Sequence, residues 1–285
     1  MSADSTAEKP KAEENPNLQT VKLPIEGGSL NFRIDTKAEG NAFFCMGVRK
    51  SGSTMLGIIA QFLARRNGIN IVDLPGTAFK RGFVVGHWEN SDINKIIYPG
   101  NFYGGFRNYV PGLGMSPHFA AAPKLFMFRD PRDALVSQYF SDAYSHSLPP
   151  EGAGVGREIF LEKRKAAQET KLDDYVVQKA GGMANTMMGY TPLLDDPKCL
   201  VLRYEEWVFQ KKRMIHKILD HFGWECHPGQ IENILKQVDV VPEAEDGQKF
   251  IRKAVPGDHR AKLDPATIRK LDAKLKEVLE IFDYY

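Results

Sequence analysis

Cysteine is scarce: Cys45, Cys199 and Cys226 are all that the 285 residues contain. Two of them fall in apolar, strand-like segments, where a thiol serves as a small buried hydrophobe. The chain therefore argues against a disulfide framework and for a reducing compartment. An excess of one charge is also missing. The 38 Lys and Arg nearly balance 36 Asp and Glu, which leaves no global field for nucleic acid or a membrane surface, so any anion site must be local. There is no apolar run of membrane-spanning length, no secretory signal and no internal repeat. His221, Cys226 and His227 surround a Phe-Gly-Trp helix end with no fourth ligand at zinc-like spacing, so no metal is expected there. Met1 to Thr20 lacks an apolar core and reads as a disordered tail, leaving residues 21–285 as one large domain.

What is present is an alternation of period. Strand-like Ala42–Met46, Gly82–Val85, Lys124–Phe128 and Cys199–Leu202 alternate with helical patterns at Thr54–Arg66, Arg132–Ala143 and Lys211–Phe222. That order implies an α/β fold with a central parallel sheet, helices on both faces and ligand at the carboxyl ends of the strands. Val155–Lys179 is charged and helix-prone, Leu271–Phe282 suits a terminal helix, and aperiodic Glu243–Gly257 suits a mobile cover.

Between the first strand and first helix stands Gly47-Val-Arg-Lys-Ser-Gly-Ser-Thr54. A strand, a Gly/Ser turn and a helix start present backbone N–H groups at a positive helix end, which suits phosphate. A Walker A loop would carry a lysine directly after Gly52; here Ser53 follows, and Lys50 precedes the glycine by two residues. A lysine on the strand side of the turn is aimed at the bridging oxygen of a group held by the loop, where it neutralises charge on a departing phosphate without a metal.

Three further stretches accompany the loop. Lys124-Leu-Phe-Met-Phe128 ends in Arg129, and Asp130-Pro131 supplies an N-cap and first-turn proline for a helix carrying Ser137, eight residues after the arginine. Cys199-Leu-Val-Leu-Arg-Tyr204 is a strand followed by a Tyr-Glu pair, and Phe250-Ile-Arg-Lys-Ala-Val-Pro-Gly-Asp-His259 lies near the C-terminus. Together these resemble, in order, the motifs of sulfotransferases that use 3′-phosphoadenosine-5′-phosphosulfate (PAPS). Their first motif reads roughly P-K-S-G-T-T-W or G-V-R-K-G-G-T, and their last F-x-R-K-G-x-x-G-D-W.

The resemblance implies a three-layer P-loop-like fold and sulfuryl transfer from PAPS to a hydroxyl or amine acceptor, with 3′-phosphoadenosine-5′-phosphate (PAP) as product and no metal. It implies that Lys50, Ser51, Gly52, Ser53 and Thr54 hold the 5′-phosphosulfate and that Arg129 and Ser137 hold the 3′-phosphate. Arg252, Lys253 and the Ala254 amide would assist there, with Met55, Tyr204 and Phe250 near adenine. This sequence departs from the family at Met55, Ala254 and His259, which stand where the family has Trp, Gly and Trp. Without the membrane anchor usual in secretory glycan sulfotransferases, a cytoplasmic enzyme is expected, acting on a small-molecule, glycan or lipid acceptor and not on nucleic acid. The alternatives are a P-loop-like nucleotide kinase, disfavoured by the missing lysine, and a non-catalytic nucleotide-binding protein.

An acceptor hydroxyl needs a general base, and histidine titrates in the right range. His87 ends the Gly82–Val85 segment between the first two motifs and is favoured by chain order; His118 and His146 are the alternatives. An aromatic, glycine-rich segment holding Tyr98, Phe102, Tyr103, Phe106 and Tyr109 with Arg107 either lines an acceptor pocket or packs a loop.

Overall fold

A computed structural model describes residues 15–240, 242–249 and 251–285. An antiparallel hairpin comes first, β1 (Leu18–Ile25) with β2 (Gly28–Asp35), then β3 (Phe43–Gly47), α1 (Ser53–Arg66), β4 (Asn70–Val72), α2 (Leu74–Lys80) and β5 (Asn101–Phe106). Two short helices, α3 (Pro111–Gly114) and α4 (Pro117–Ala121), lead into β6 (Lys124–Phe128), α5 (Pro131–Phe140), α6 (Val155–Glu169), α7 (Leu172–Gly189) and β7 (Cys199–Arg203). The rest is helical: α8 (Tyr204–Trp207), α9 (Lys211–Phe222), α10 (Pro228–Val238), α11 (Asp258–Lys262), α12 (Pro265–Lys274) and α13 (Lys276–Ile281). Because β1 starts at Leu18, the last residues assigned to a tail are strand; residues 1–14 lie outside the described residues.

Five parallel strands run in the order β4-β5-β3-β6-β7. Every residue of β3 and β6 is buried, as expected of parallel strands covered on both faces. Side-chain alternation divides each strand between two cores. Phe44, Met46, Phe126 and Phe128 enter one core with α5, α7, α12, α13 and the hairpin, while Phe43, Cys45, Leu125 and Met127 enter the other with α1, α9 and α10. This is the three-layer α/β arrangement that the alternation implies. Each buried Phe or Leu contributes about 1.5–3 kcal/mol by leaving water. The two filled cores thereby fix the carboxyl end of β3, where the phosphate-type loop begins.

One expected strand is absent. Gly82–Val85 forms a turn leading into a 3₁₀ turn at Val85–His87, and the sheet positions are filled by β4 and β5. Gly82 has φ of 76°, which a pleated strand does not use. The apolar run that follows it is too short to overcome that turn. Conversely, Gly104-Gly105 made β5 read as loop. The pairing shows why it is a strand: Phe44 faces Tyr103 but Met46 faces Phe106, so β5 carries one extra residue. Gly105 sits in this bulge with φ of 88°, and a Cβ there would lie 2.7 Å from Asp73 Oδ1. Bulges re-aim strand ends beside sites, and Arg107 directly follows this strand.

Candidate active site

The loop after β3 is tied down from below. The Ser51 hydroxyl donates to Val48 O at 2.6 Å and Met127 O at 3.0 Å, and Ser53 Oγ donates to Val48 O at 3.2 Å. Both serines are buried. Their hydroxyls therefore fix the loop to β3 and β6, and the groups left for an anion are the backbone amides of the first turn of α1, which have no carbonyl partner within the helix. Lys50 and Gly52 are left-handed, with φ of 66° and 81°. A Cβ at Gly52 would fall 2.7 Å from the Tyr204 ring, so glycine permits the contact as well as the turn. Burial, reinforced by neighbouring Arg49, lowers the Lys50 ammonium to about 8, with Asp142 opposing and Arg129 and Arg107 adding to the shift.

On the β6 side, Arg129 Nη2 donates to Asp133 Oδ2 at 3.1 Å and to Val255 O at 3.3 Å. Asp133 also accepts from Gly257 N at 2.6 Å, His259 N at 2.9 Å and His259 Nδ1 at 2.6 Å. Burial works against that carboxylate, but the His259 bonds and the Arg129 charge outweigh it and hold Asp133 well below the usual carboxylate range. The C-terminal segment is thus anchored beside Arg129. Arg252 is paired there with Glu245 and Asp258, and Lys253 with Asp258 at 2.9 Å. Ala254 has φ of 55°, which explains the family's glycine at this position.

Two observations test whether PAP fits these residues. Arg129 Nε and Arg252 Nε are buried donors without a partner among the described residues, a costly state unless an acceptor meets them. Ser137, half-buried on α5 after Arg129, has no side-chain hydrogen bond among the described residues to compete for its hydroxyl. A phosphate monoester supplies the oxygens that these groups lack, so the residues fit the group. Tyr204 is wedged between the loop and Arg129, whose guanidinium lies 4.5 Å from its ring centre. Met55 is half-buried on α1 against the second core, and Phe250 lies outside the described residues.

The β5 side holds a different set. Arg107, half-buried at the end of β5, donates to Thr54 Oγ1 at 3.3 Å, and no carboxylate among the described residues lies within 4 Å of it. Arg49 pairs with Asp142 at 2.6 Å. Asp142 belongs to a π-helical turn, Ser141–Ser145, that continues α5 and delivers His146 through a bond from His146 N to Ser141 O. His146 Nδ1 lies 2.6 Å from Ser147 O. A carbonyl only accepts, so Nδ1 carries the proton and Nε2 of the neutral ring keeps its lone pair. Burial lowers the pKa of His146, the Ser147 bond opposes this, and the charges of Arg49 and Lys50 add to the lowering.

His87 makes its contacts with other segments. Its Nδ1 meets the Val84 backbone, its carbonyl accepts from Glu26 N of the β1–β2 turn, and its ring packs on Phe83; none of these partners belongs to the loop. His118 is exposed on α4, which feeds the amino end of β6, away from the strand ends that carry the site. Of the aromatic group, Phe102, Tyr103 and Phe106 are buried strand residues of the cores, so packing accounts for them. His221 bonds to Lys124 O and Cys226 to Gln230, and among the described residues no His, Cys, Asp and Glu cluster suits a metal. Sequence reasoning did not single out Asp133, Asp142 or Arg49 as site residues. A signal existed only for Asp133, four residues after Arg129 on the same helical turn.

A sulfotransferase-domain profile matches residues 118–283, more than half of the chain and inclusive of Arg129, Ser137, Tyr204 and Arg252. No curated protein sequence matches the chain. Among solved structures it is similar to a mouse sulfotransferase complexed with PAP, at 16% identity over 92% of this chain and 95% of that one, with a TM-score of 0.56. It is also aligned to a retinol dehydratase in a complex with retinol and PAP, at 15% identity over 90% of each chain, with a TM-score of 0.48. The first likeness shows a shared fold. With three motif segments inside the matched region and the P-loop-like sheet beneath them, the chain belongs to the sulfotransferase domain family.

Proposed function

We propose that this site transfers the sulfuryl group of PAPS to a hydroxyl acceptor, releasing PAP, with Lys50 as the catalytic cation and His146 as the base. The carrying observation is the pair of buried guanidinium donors without partners among the described residues, Arg129 Nε and Arg252 Nε, on the two segments that carry the family's 3′-phosphate motifs. A kinase has no use for a cationic 3′ site, and its loop would place a lysine after Gly52. PAPS supplies an electrophilic sulfur with a phosphate leaving group. First-turn amides of α1 hold the 5′ side. Lys50 stabilises charge at the bridging oxygen, and Arg129, Ser137, Arg252 and Lys253 hold the 3′-phosphate.

His146 replaces His87 in this scheme because its Nδ1 is fixed by Ser147, its Nε2 can take a proton, and Lys50 is close enough to lower its pKa. Calorimetry with PAP and AMP tests the nucleotide assignment. PAP is expected to bind at least about tenfold more tightly, since each charge-assisted contact contributes about 1.5–3 kcal/mol, and Arg129→Met is expected to abolish the difference. Equal affinities in the wild type would overturn it. The acceptor is a small molecule, glycan or lipid handled on the β5 side of the loop. A cytoplasmic setting suits the free thiols of Cys45, Cys199 and Cys226; no described helix is long and apolar enough to cross a membrane.

A further inference from the structure

Of the three hydroxyls in the loop, those of Ser51 and Ser53 are buried and turned into the sheet, whereas Thr54 is exposed. Thr54 Oγ1 accepts from Arg107 Nη2 at 3.3 Å. The frame of the loop gives this contact a chemical meaning. Gly47 and Gly52 are spaced as in G-x-x-x-x-G-K-[ST], so Thr54 occupies the position whose hydroxyl holds Mg²⁺ in a P-loop kinase. That ion bridges the two terminal phosphates and neutralises the charge that develops between them. Here a guanidinium stands on the same hydroxyl.

The surroundings of Arg107 are poor for a cation that serves structure alone. No carboxylate among the described residues lies within 4 Å of it, and its bond to Thr54 is long and to a neutral acceptor. Asp73, which attracts it from farther away, already caps α2 through Gly76 N at 2.9 Å. Burial lowers the pKa of Arg107; Cys45, Tyr190 and Asp73 oppose this, and the Arg49 charge adds to it. The Lys50 ammonium feels Arg107 in turn, after burial, Arg49 and Arg129. Arg49, Lys50 and Arg107 thus gather at one loop, with the Asp142 carboxylate already taken by Arg49 at 2.6 Å. Like charges so placed cost stability until an anion comes between them, a cost that proteins accept at functional sites.

We propose that Arg107 is a second catalytic cation, donating to non-bridging oxygens of the 5′-phosphate and the sulfuryl group of PAPS where a P-loop kinase places its metal ion. In the transfer, the acceptor oxygen bonds to sulfur and the bond from sulfur to the bridging oxygen breaks. Its electron pair stays on the 5′-phosphate of PAP, and the acceptor proton goes to His146. Lys50 meets the bridging oxygen, while Arg107 meets the charge on the oxygens to either side of it. The inference rests on the sulfotransferase reading, which supplies the nucleotide.

Calorimetry of wild type, Arg107→Met and Arg107→Gln with PAP and with adenosine 3′-monophosphate tests it, because the second ligand fills the Arg129 side and has no 5′-phosphate. PAP is expected to bind both variants about tenfold or more weakly, through loss of a charge-assisted contact. Adenosine 3′-monophosphate should stay within about twofold of wild type. Glutamine keeps a donor for Thr54 and loses the charge, which separates the two roles. Melting temperatures of the unliganded variants are expected to equal or exceed that of wild type, since a cation short of counter-charge is removed. PAP release from PAPS, with pooled hydroxyl acceptors or water as acceptor, should slow on the order of 10²–10³. Wild-type PAP affinity in Arg107→Gln, equal losses for both nucleotides, lower melting temperatures in both variants, or unchanged PAP release would make Arg107 a strut between β5 and α1 and overturn the inference. If wild type binds PAP no more tightly than adenosine 3′-monophosphate, the reading of the loop as a phosphosulfate site falls as well.

Discussion

His259 Nδ1 lies 2.6 Å from Asp133 Oδ1, while the other oxygen of that carboxylate takes the Arg129 guanidinium and the Gly257 amide. One buried carboxylate thus joins the arginine of the second motif to the segment that carries Arg252 and Lys253. Where the family has a tryptophan, this chain uses a polar contact to hold the same segment.

Asp133→Asn is accordingly expected to cost about 3–5 kcal/mol in stability, because it leaves Arg129 buried without its counter-charge, and to weaken PAP binding. His259→Phe keeps the ring volume and loses the bond, so it should cost less stability but loosen the segment. Urea melts and PAP titrations of both variants check this. The pH direction is fixed by the carboxylate's low folded pKa. Its contribution to stability is fully present above the unfolded value of about 3.9 and is lost as pH falls through the folded value. Asp133→Asn should therefore lose stability most at neutral pH and least in strong acid.

Lys50 gives the opposite pH signature for ligand binding. Its folded pKa of about 8 lies below the unfolded value of about 10.4. Its own contribution to stability is thus present above the unfolded value and lost as pH falls through the folded one. The phosphates of PAP favour the protonated ammonium, so PAP affinity should fall as pH rises through about 8. Lys50→Met is expected to flatten that limb. It should also lower turnover on the order of 10²–10³ while the Arg129 side still holds the nucleotide.

The base is decided by a pH–rate profile. A lowered His146 pKa predicts a rising limb of kcat/KM below the ordinary histidine value, and a Lys50 limb that falls near 8. His146→Ala should remove the rising limb and about 10²–10⁴ of the rate, with His87→Ala close to wild type. The reverse outcome would return the role to His87.

How much of this was legible in the sequence depends on where each signal resides. The loop and the Arg129–Ser137 spacing are local turn chemistry: Gly52 in a left-handed conformation and Asp130-Pro131 at a helix start are written into adjacent residues. β5 was hidden because its bulge glycines imitate a loop, and Phe83-Val84-Val85 imitated a strand, so the histidine search was drawn to His87. His146 is brought to the loop by a π-helical turn and held among α6 residues nearly twenty positions away. No local pattern encodes such a meeting. Glycine in the family pattern marked the strain at position 254, whereas the His259–Asp133 bond depends on the fold bringing α5 and α11 together.

The central claim is sulfuryl transfer, and its most direct measurement uses PAPS labelled with radioactive sulfur, a pool of hydroxyl acceptors and a chelator of divalent ions. PAP and labelled acceptor are expected in equal amounts, with the rate unaffected by the chelator because Lys50 supplies the positive charge and reduced in Lys50→Met. PAP binding without any labelled product, or transfer strictly dependent on Mg²⁺, would contradict the account.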